Sequence, residues 1–279
     1  NKTKSFMKFL PTYLHKIPWL FALLLIHTTC QEGSSLLFGL QDQVQLGQQT
    51  RDEILNNPAE YGNTLSRTEY PEAYAYLDGM FNEILASPEL RYREEFAWEI
   101  YLIDQEGTVN AFATPGGYIF VYTDLVQYLD NASQLAGVLG HEVAHSDREH
   151  SARNLERQYG IAFLLDLVLG GGEGGLSEIA SQLALGSTSL SFSRDVEREA
   201  DEFSVIYLNS TDYACNGAAG FFQKLRDEGQ CNSFTWFSTH PDPCERVESI
   251  NEEANQRSCT SSSLDEGEYD YDDFKADLP

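Results

Sequence analysis

The sequence predicts an α+β fold, a small three-stranded sheet followed by a mainly helical body, and two observations carry that expectation. The runs from Phe96 to Ile103, Val109 to Ala113 and Tyr118 to Tyr122 alternate or stay apolar and are rich in aromatic and β-branched residues. From Thr123 to about Gln256 apolar residues recur almost throughout at helical spacing. Sheet signals therefore come first and helical ones after them, as in α+β domains. The 279 residues can bury a sizeable core. They divide into residues 1–30, a tether over 31–40, one domain over 41–259 and an acidic tail over 260–279.

The first segment has the zones of a secretory signal: Met7 with Lys8 and Lys16, an apolar run from Ile17 to Ile26, then small and polar residues up to Cys30. That run is too short for a permanent bilayer span, so the chain is expected to be exported. Thr28, Thr29 and Cys30 resemble the end of a bacterial lipobox, whose cysteine carries lipid, although His27 stands where leucine is usual. Lipidation at Cys30 would anchor the protein to the outer membrane from the periplasmic side; ordinary cleavage is the alternative.

Loose helical periodicity runs from Leu37 to Leu55, and a second helix is expected over Pro71 to Ala86 with Ala73, Tyr76, Leu77, Met80, Phe81 and Leu85 on one side. The three strands follow, the last two separated by a tight turn at Pro115, Gly116 and Gly117. Ile161 to Leu169 and the stretch from about Leu176 to Leu190 are apolar around a glycine-rich loop. They read as core helices, or else as a hairpin that touches a membrane or covers a site. The last twenty residues hold seven carboxylates and one lysine and read as disordered.

Cys215, Cys231, Cys244 and Cys259 form an even set, as expected for two disulfides in an oxidising compartment. Three pairings are possible, and Cys215 with Cys231 and Cys244 with Cys259 is the most local. A second zinc site from the four is disfavoured, because no Cys-x-x-Cys spacing occurs. With 18 basic against 44 acidic residues and a net charge of −26, the chain lacks the cationic surface that nucleic acid requires.

The chemistry is concentrated in His141, Glu142 and His145, a His-Glu-x-x-His pattern. Helical residues four apart lie about 400° round and about 6 Å up the axis, so the two imidazoles converge on one point that suits a zinc ion. Glu142 is turned too far to join them as a ligand and is placed to be a base. Asn131 caps the helix with Gln134 three residues on, and Leu135, Val138 and Leu139 keep its period. Gly137 and Gly140, with Ala136 and Ala144, strip one side of side chains, so a sheet or a second helix must pack close there.

A catalytic zinc needs three protein ligands and an open position. Glu197 and Asp201 flank an apolar face of Val196, Ala200, Phe203 and Tyr207. Glu197 is expected to bind the metal and Asp201 to accept the free N–H of a ligand histidine. Glu199 points elsewhere and reads as solvated, and His150 reads as structural.

These stretches together resemble peptidase family M48, zinc metallopeptidases of the gluzincin type, in its exported bacterial branch, which includes outer-membrane quality-control proteases. The resemblance rests on Asn110 to Ala113 with Pro115 to Val121, Gly140 to His145, Ser193 to Asp201, and Thr239 to Arg246, in that order. It implies a zincin-like domain holding one Zn2+ on His141, His145 and Glu197, with Glu142 as general base and acid and Asp201 behind the ligands. It also implies an extended polypeptide substrate paired along Asn110, Ala111, Phe112 and Ala113. His240 is then either near the metal, stabilising the tetrahedral intermediate or filling the open position of a latent form, or a loop histidine fixed by Pro241 and Pro243. Arg246 pairs with a carboxylate and organises that loop. The expected activity is endoproteolysis of unfolded or misassembled envelope proteins. The rival readings are a chaperone-like periplasmic binding factor with latent proteolysis, and a structural metal domain with four permanent ligands.

Overall fold

The structure is a computed structural model and describes residues 38–172, 174–186, 188–259 and 270–279. The expected signal peptide, Cys30 and residues 31–37 of the expected tether lie outside the described residues. The chain begins with α1 (Leu40–Asn56) and a single turn, α2 (Pro58–Tyr61), then β1 (Asn63–Thr64) and α3 (Pro71–Leu85). The sheet is completed by β2 (Glu99–Asp104), β3 (Ala111–Thr114) and β4 (Tyr118–Tyr122). Helices follow: α4 (Thr123–Tyr128), α5 (Ala132–Asp147), α6 (His150–Tyr159), α7 (Ile161–Val168), α8 (Gly175–Ala184), α9 (Arg194–Leu208), α10 (Gly217–Asp227), α11 (Val247–Gln256) and α12 (Tyr271–Ala276). No helix among the described residues is long and apolar enough to cross a membrane.

The sheet has four strands in the order β1-β2-β4-β3, one more than expected. The extra strand is two residues long and antiparallel to β2, too short to leave any periodicity in the sequence. β2 and β4 are parallel, and β3 pairs antiparallel with β4, Phe112 opposite Phe120. Gly116 and Gly117, at φ 80° and 92°, close that hairpin in the left-handed region. Both faces are covered. Ala111, Ala113, Ile119 and Val121 enter a core shared with α3, α5 and α9, while Phe112, Tyr118, Phe120 and Tyr122 pack with Ile54, Tyr61, Ala180 and Ala184. β3 is an edge strand and lies against α5, α6 and α8.

α5 is the central helix, buried from Gln134 to Asp147. The Asn131 side chain accepts from Gln134 N at 3.0 Å, as a cap should; the Gln134 amide oxygen accepts from Asp130 N at 2.9 Å, one residue before the expected partner. The bare side of α5 meets two helices. A Cβ on Gly137 would stand 2.1 Å from Ala218 N of α10, and one on Gly140 would stand 2.7 Å from Ser204 Oγ of α9. Ser204 Oγ donates to Gly137 O at 2.9 Å.

One open choice is decided and one expectation needs correction. The disulfides join Cys215 to Cys259 and Cys231 to Cys244, nested rather than local. The chain runs out along α10 and back along α11, which pack together, so its outermost cysteines meet each other and its inner ones meet in between. The acidic tail is ordered over its described part, 270–279. Tyr271, Phe274 and Leu278 are buried at helical spacing, Phe274 stacks on Tyr76 at 4.9 Å, and Tyr271 OH donates to Val126 O at 2.8 Å. Composition hid this, because three apolar residues among carboxylates make an amphipathic turn without changing the charge count.

Candidate metal centre

His141, His145, Glu197 and His240 are all buried, and their ligand-type atoms lie within 4.8 Å of one another. Two of them come from successive turns of α5, one from the first turn of α9, and the last from the segment between α10 and α11. His141 Nε2 is 3.0 Å from His145 Nε2, 3.6 Å from Glu197 Oε2 and 3.3 Å from His240 Nδ1. Glu197 Oε1 is 3.4 Å from His145 Nε2 and 3.1 Å from His240 Nδ1. Metal–ligand bonds of about 2.0–2.1 Å place tetrahedral donor atoms about 3.3 Å apart, and these separations of 3.0–3.6 Å are of that size.

The donor chemistry fits as well. Burial holds His141 and His145 well below the ordinary histidine range and brings His240 down to about 4, so all three present neutral lone pairs at pH 7. Glu142, Glu197 and Asp201 are buried carboxyls with one buried guanidinium, Arg246, among them. Ionised, they would leave two negative charges uncompensated, which a divalent cation neutralises. Arg246 reaches Glu197 with Nη1 and Asp201 Oδ1 with Nη2, the latter at 3.0 Å, and its plane lies 4.6 Å from the Phe222 ring centroid. Asp201 Oδ1 is also 3.0 Å from His141 Nδ1, the nitrogen that faces away from the cluster.

Glu142 lies beside the tetrad. Its Oε1 accepts from Trp236 Nε1 at 3.1 Å and stands 3.5 Å from His240 Nε2, and the Ala113 N–H also donates to the carboxylate. Burial pushes its carboxyl up from the ordinary glutamate value, the direction that makes a better base.

A sequence model of peptidase family M48 matches residues 71–254. The chain belongs to peptidase family M48. It is 29% identical over 198 residues to a putative beta-barrel assembly-enhancing protease of Vibrio cholerae, covering 67% of this chain and 40% of that protein. It is 31% identical over 158 residues to the metalloprotease YcaL of Escherichia coli, covering 54% of this chain and 60% of that protein. To the mitochondrial metalloendopeptidase OMA1 of Schizosaccharomyces pombe it is 27% identical over 217 residues, 76% of this chain and 61% of that protein. The chain spans about two fifths of the length of the beta-barrel assembly-enhancing proteases it matches.

In this M48 chain the sequence-predicted residues fall into two groups. His141, Glu142, His145, Glu197, Asp201, His240 and Arg246 converge on one buried point. Asn110 to Ala113 border it more loosely: Asn110 turns its side chain away to Ala184 O at 3.0 Å, and the edge groups of the strand are in use. Val109 O accepts from Trp236 N at 3.4 Å and Ala113 O from Ser151 Oγ at 3.0 Å. Two aromatic residues that sequence reasoning did not single out form the walls. Phe192 stacks on His145 at 4.0 Å and Trp236 on His240 at 4.3 Å, and Phe192 N donates to Thr239 O at 2.9 Å across the top. Nothing in the composition or spacing marks either ring. Glu199, read as solvated, instead lies 3.3 Å from His150 and 3.4 Å from Arg148, and His150, read as structural, reaches His145. The break between α5 and α6 turns the chain back, which no helical projection of five residues could show.

Proposed function

We propose that the protein is an exported zinc endopeptidase that cleaves extended segments of unfolded or misassembled envelope proteins. The observation that supports it most directly is the convergence of His141, His145 and Glu197, 3.0–3.6 Å apart, with Glu142 beside them. Zinc bound there would lower the pKa of a water towards about 7 and polarise a peptide carbonyl. Glu142 takes the proton from the attacking water and returns it to the leaving amine. His141 and His145 stay neutral, Asp201 orients His141, and Arg246 fixes Glu197 and Asp201 relative to each other. Peptide main chain aligns along β3, which requires the Trp236 segment to leave Val109. An apolar pocket beside Glu142, lined by Phe112, Leu155, Leu183, Leu190 and Phe192, takes a substrate side chain.

His240 fills the fourth corner in this reading, so the resting enzyme is closed and cleavage begins when the 235–240 segment withdraws. The signal-like N-terminus supports action in the periplasm, and the Thr28-Thr29-Cys30 pattern supports Cys30 as a lipid anchor at the outer membrane; relatives named for beta-barrel assembly are in keeping with an envelope role.

The test is zinc content and casein cleavage for the chain from residue 31 and its Glu142→Gln and His240→Ala variants. One zinc per chain is expected throughout, with cleavage reduced about 10²–10⁴-fold in Glu142→Gln and raised in His240→Ala. Full activity of Glu142→Gln, or zinc without cleavage in every version, would overturn the reading.

A further inference from the structure

We infer that His150 and Glu199 form a positioning relay that fixes the tautomer and ring orientation of the metal ligand His145. This rests on the zinc-site reading above. His145 turns Nε2 towards the tetrad, so its Nδ1 faces backwards, 3.2 Å from His150 Nδ1. The other nitrogen of His150, Nε2, lies 3.3 Å from Glu199 Oε2. Glu199 Oε1 is 3.4 Å from Arg148 Nε, and Arg148 Cζ lies over the Phe203 ring, 3.9 Å from its centroid.

The Glu199 carboxylate sets the donor and acceptor roles along this row by charge, its oxygen approaching His150 Nε2 to 3.3 Å without full hydrogen-bond alignment. A carboxylate only accepts, so it favours the tautomer of His150 with the proton on Nε2. Its Nδ1 is then a lone pair, and the facing Nδ1 of His145 must carry the hydrogen. That leaves His145 Nε2 bare, the form a metal needs. The two histidine ligands are thus backed differently: His141 directly by the Asp201 carboxylate, His145 by a carboxylate acting through a second imidazole.

The backbone is shaped for this contact. Glu149, immediately before His150, is a non-glycine residue at φ 59° and ψ 23°, which makes the sharp reversal from α5 into α6. It is held there from two other parts of the chain, accepting from Gln43 Nε2 at 2.8 Å and Tyr92 OH at 3.0 Å. Without the reversal His150 would continue round α5 and miss His145.

The experiment is chelator-competed zinc titration of the chain from residue 31, with metal-free melting temperatures recorded beside it. His150→Phe is expected to weaken zinc about 10–100-fold, the usual cost of losing a ligand's hydrogen-bond partner. His150→Asn, whose Oδ1 replaces the accepting lone pair, is expected to recover most of that loss. Glu199→Ala, at the half-buried far end and outside the core, should weaken zinc about 10-fold with the metal-free melting temperature little changed. Wild-type affinity in His150→Phe or Glu199→Ala, or His150→Asn as weak as His150→Phe, would overturn the relay and leave the zinc reading standing. A wild-type chain that binds no zinc would remove both.

Discussion

Four buried histidines set the behaviour of the site towards acid. Burial lowers His141, His145, His150 and His240, so each takes up a proton more readily in the unfolded chain than in the folded one. Their contribution to stability is complete above about pH 6.5 and is lost as the pH falls towards their folded values, about 4 for His240. Glu142, Asp147 and Asp201, pushed up by burial, act in the opposite sense and offset part of this, three groups against four. The metal-free protein should therefore melt at falling temperatures as the pH is lowered below 6.5, each net proton adding about 1.4 kcal/mol per pH unit. A melting temperature that rises on acidification to pH 5 would contradict this balance. At this scale the His-Glu-x-x-His pair was fully legible in the sequence, because a helix converts a spacing of four into a shared direction. Glu197 was legible as a carboxylate beside an apolar face. His150 was not, since its role depends on a left-handed backbone at Glu149 that glutamate does not advertise.

The element that the site depends on most is α5, and its precision comes from missing side chains. Gly137 lets the backbone of α10 approach, and Gly140 admits Ser204 of α9, the helix that carries Glu197. Gly137→Ala would gain about 1 kcal/mol of helix propensity yet force α10 outward. Overpacking of this kind costs about 1–3 kcal/mol. With Ala218 N only 2.1 Å from the new Cβ the net change is expected to be destabilising, read as a lower denaturant midpoint. An unchanged midpoint would mean that α10 yields freely. The sequence announced this close approach through its cluster of small residues and left open what would fill it. It placed Tyr118–Tyr122 to the residue, because a fully apolar β-branched and aromatic run suits a strand covered on both faces. It missed α12, whose burial depends on a groove contributed by distant Tyr76 and Val126.

Across the whole molecule, the nested bridges convert the α10 to α11 stretch into two concentric loops, the inner one carrying Trp236 and His240. Serine at both Cys231 and Cys244 is expected to lower stability by about 3 kcal/mol from loop closure. The denaturant midpoint measures it, and an unshifted midpoint would mean that Trp236 packing alone holds the loop. Pairing was beyond the sequence because it is a property of how two helices return on each other, not of spacing. The order in which the tetrad is made also follows from this arrangement. Two of its corners are in place as soon as α5 forms, the third waits 52 residues more, and the last becomes available only when the chain has passed residue 240 and turned back under its inner bridge. A metal ion meeting the chain before its C-terminal third has folded would find two imidazoles and little else, so loading would report that this third has folded.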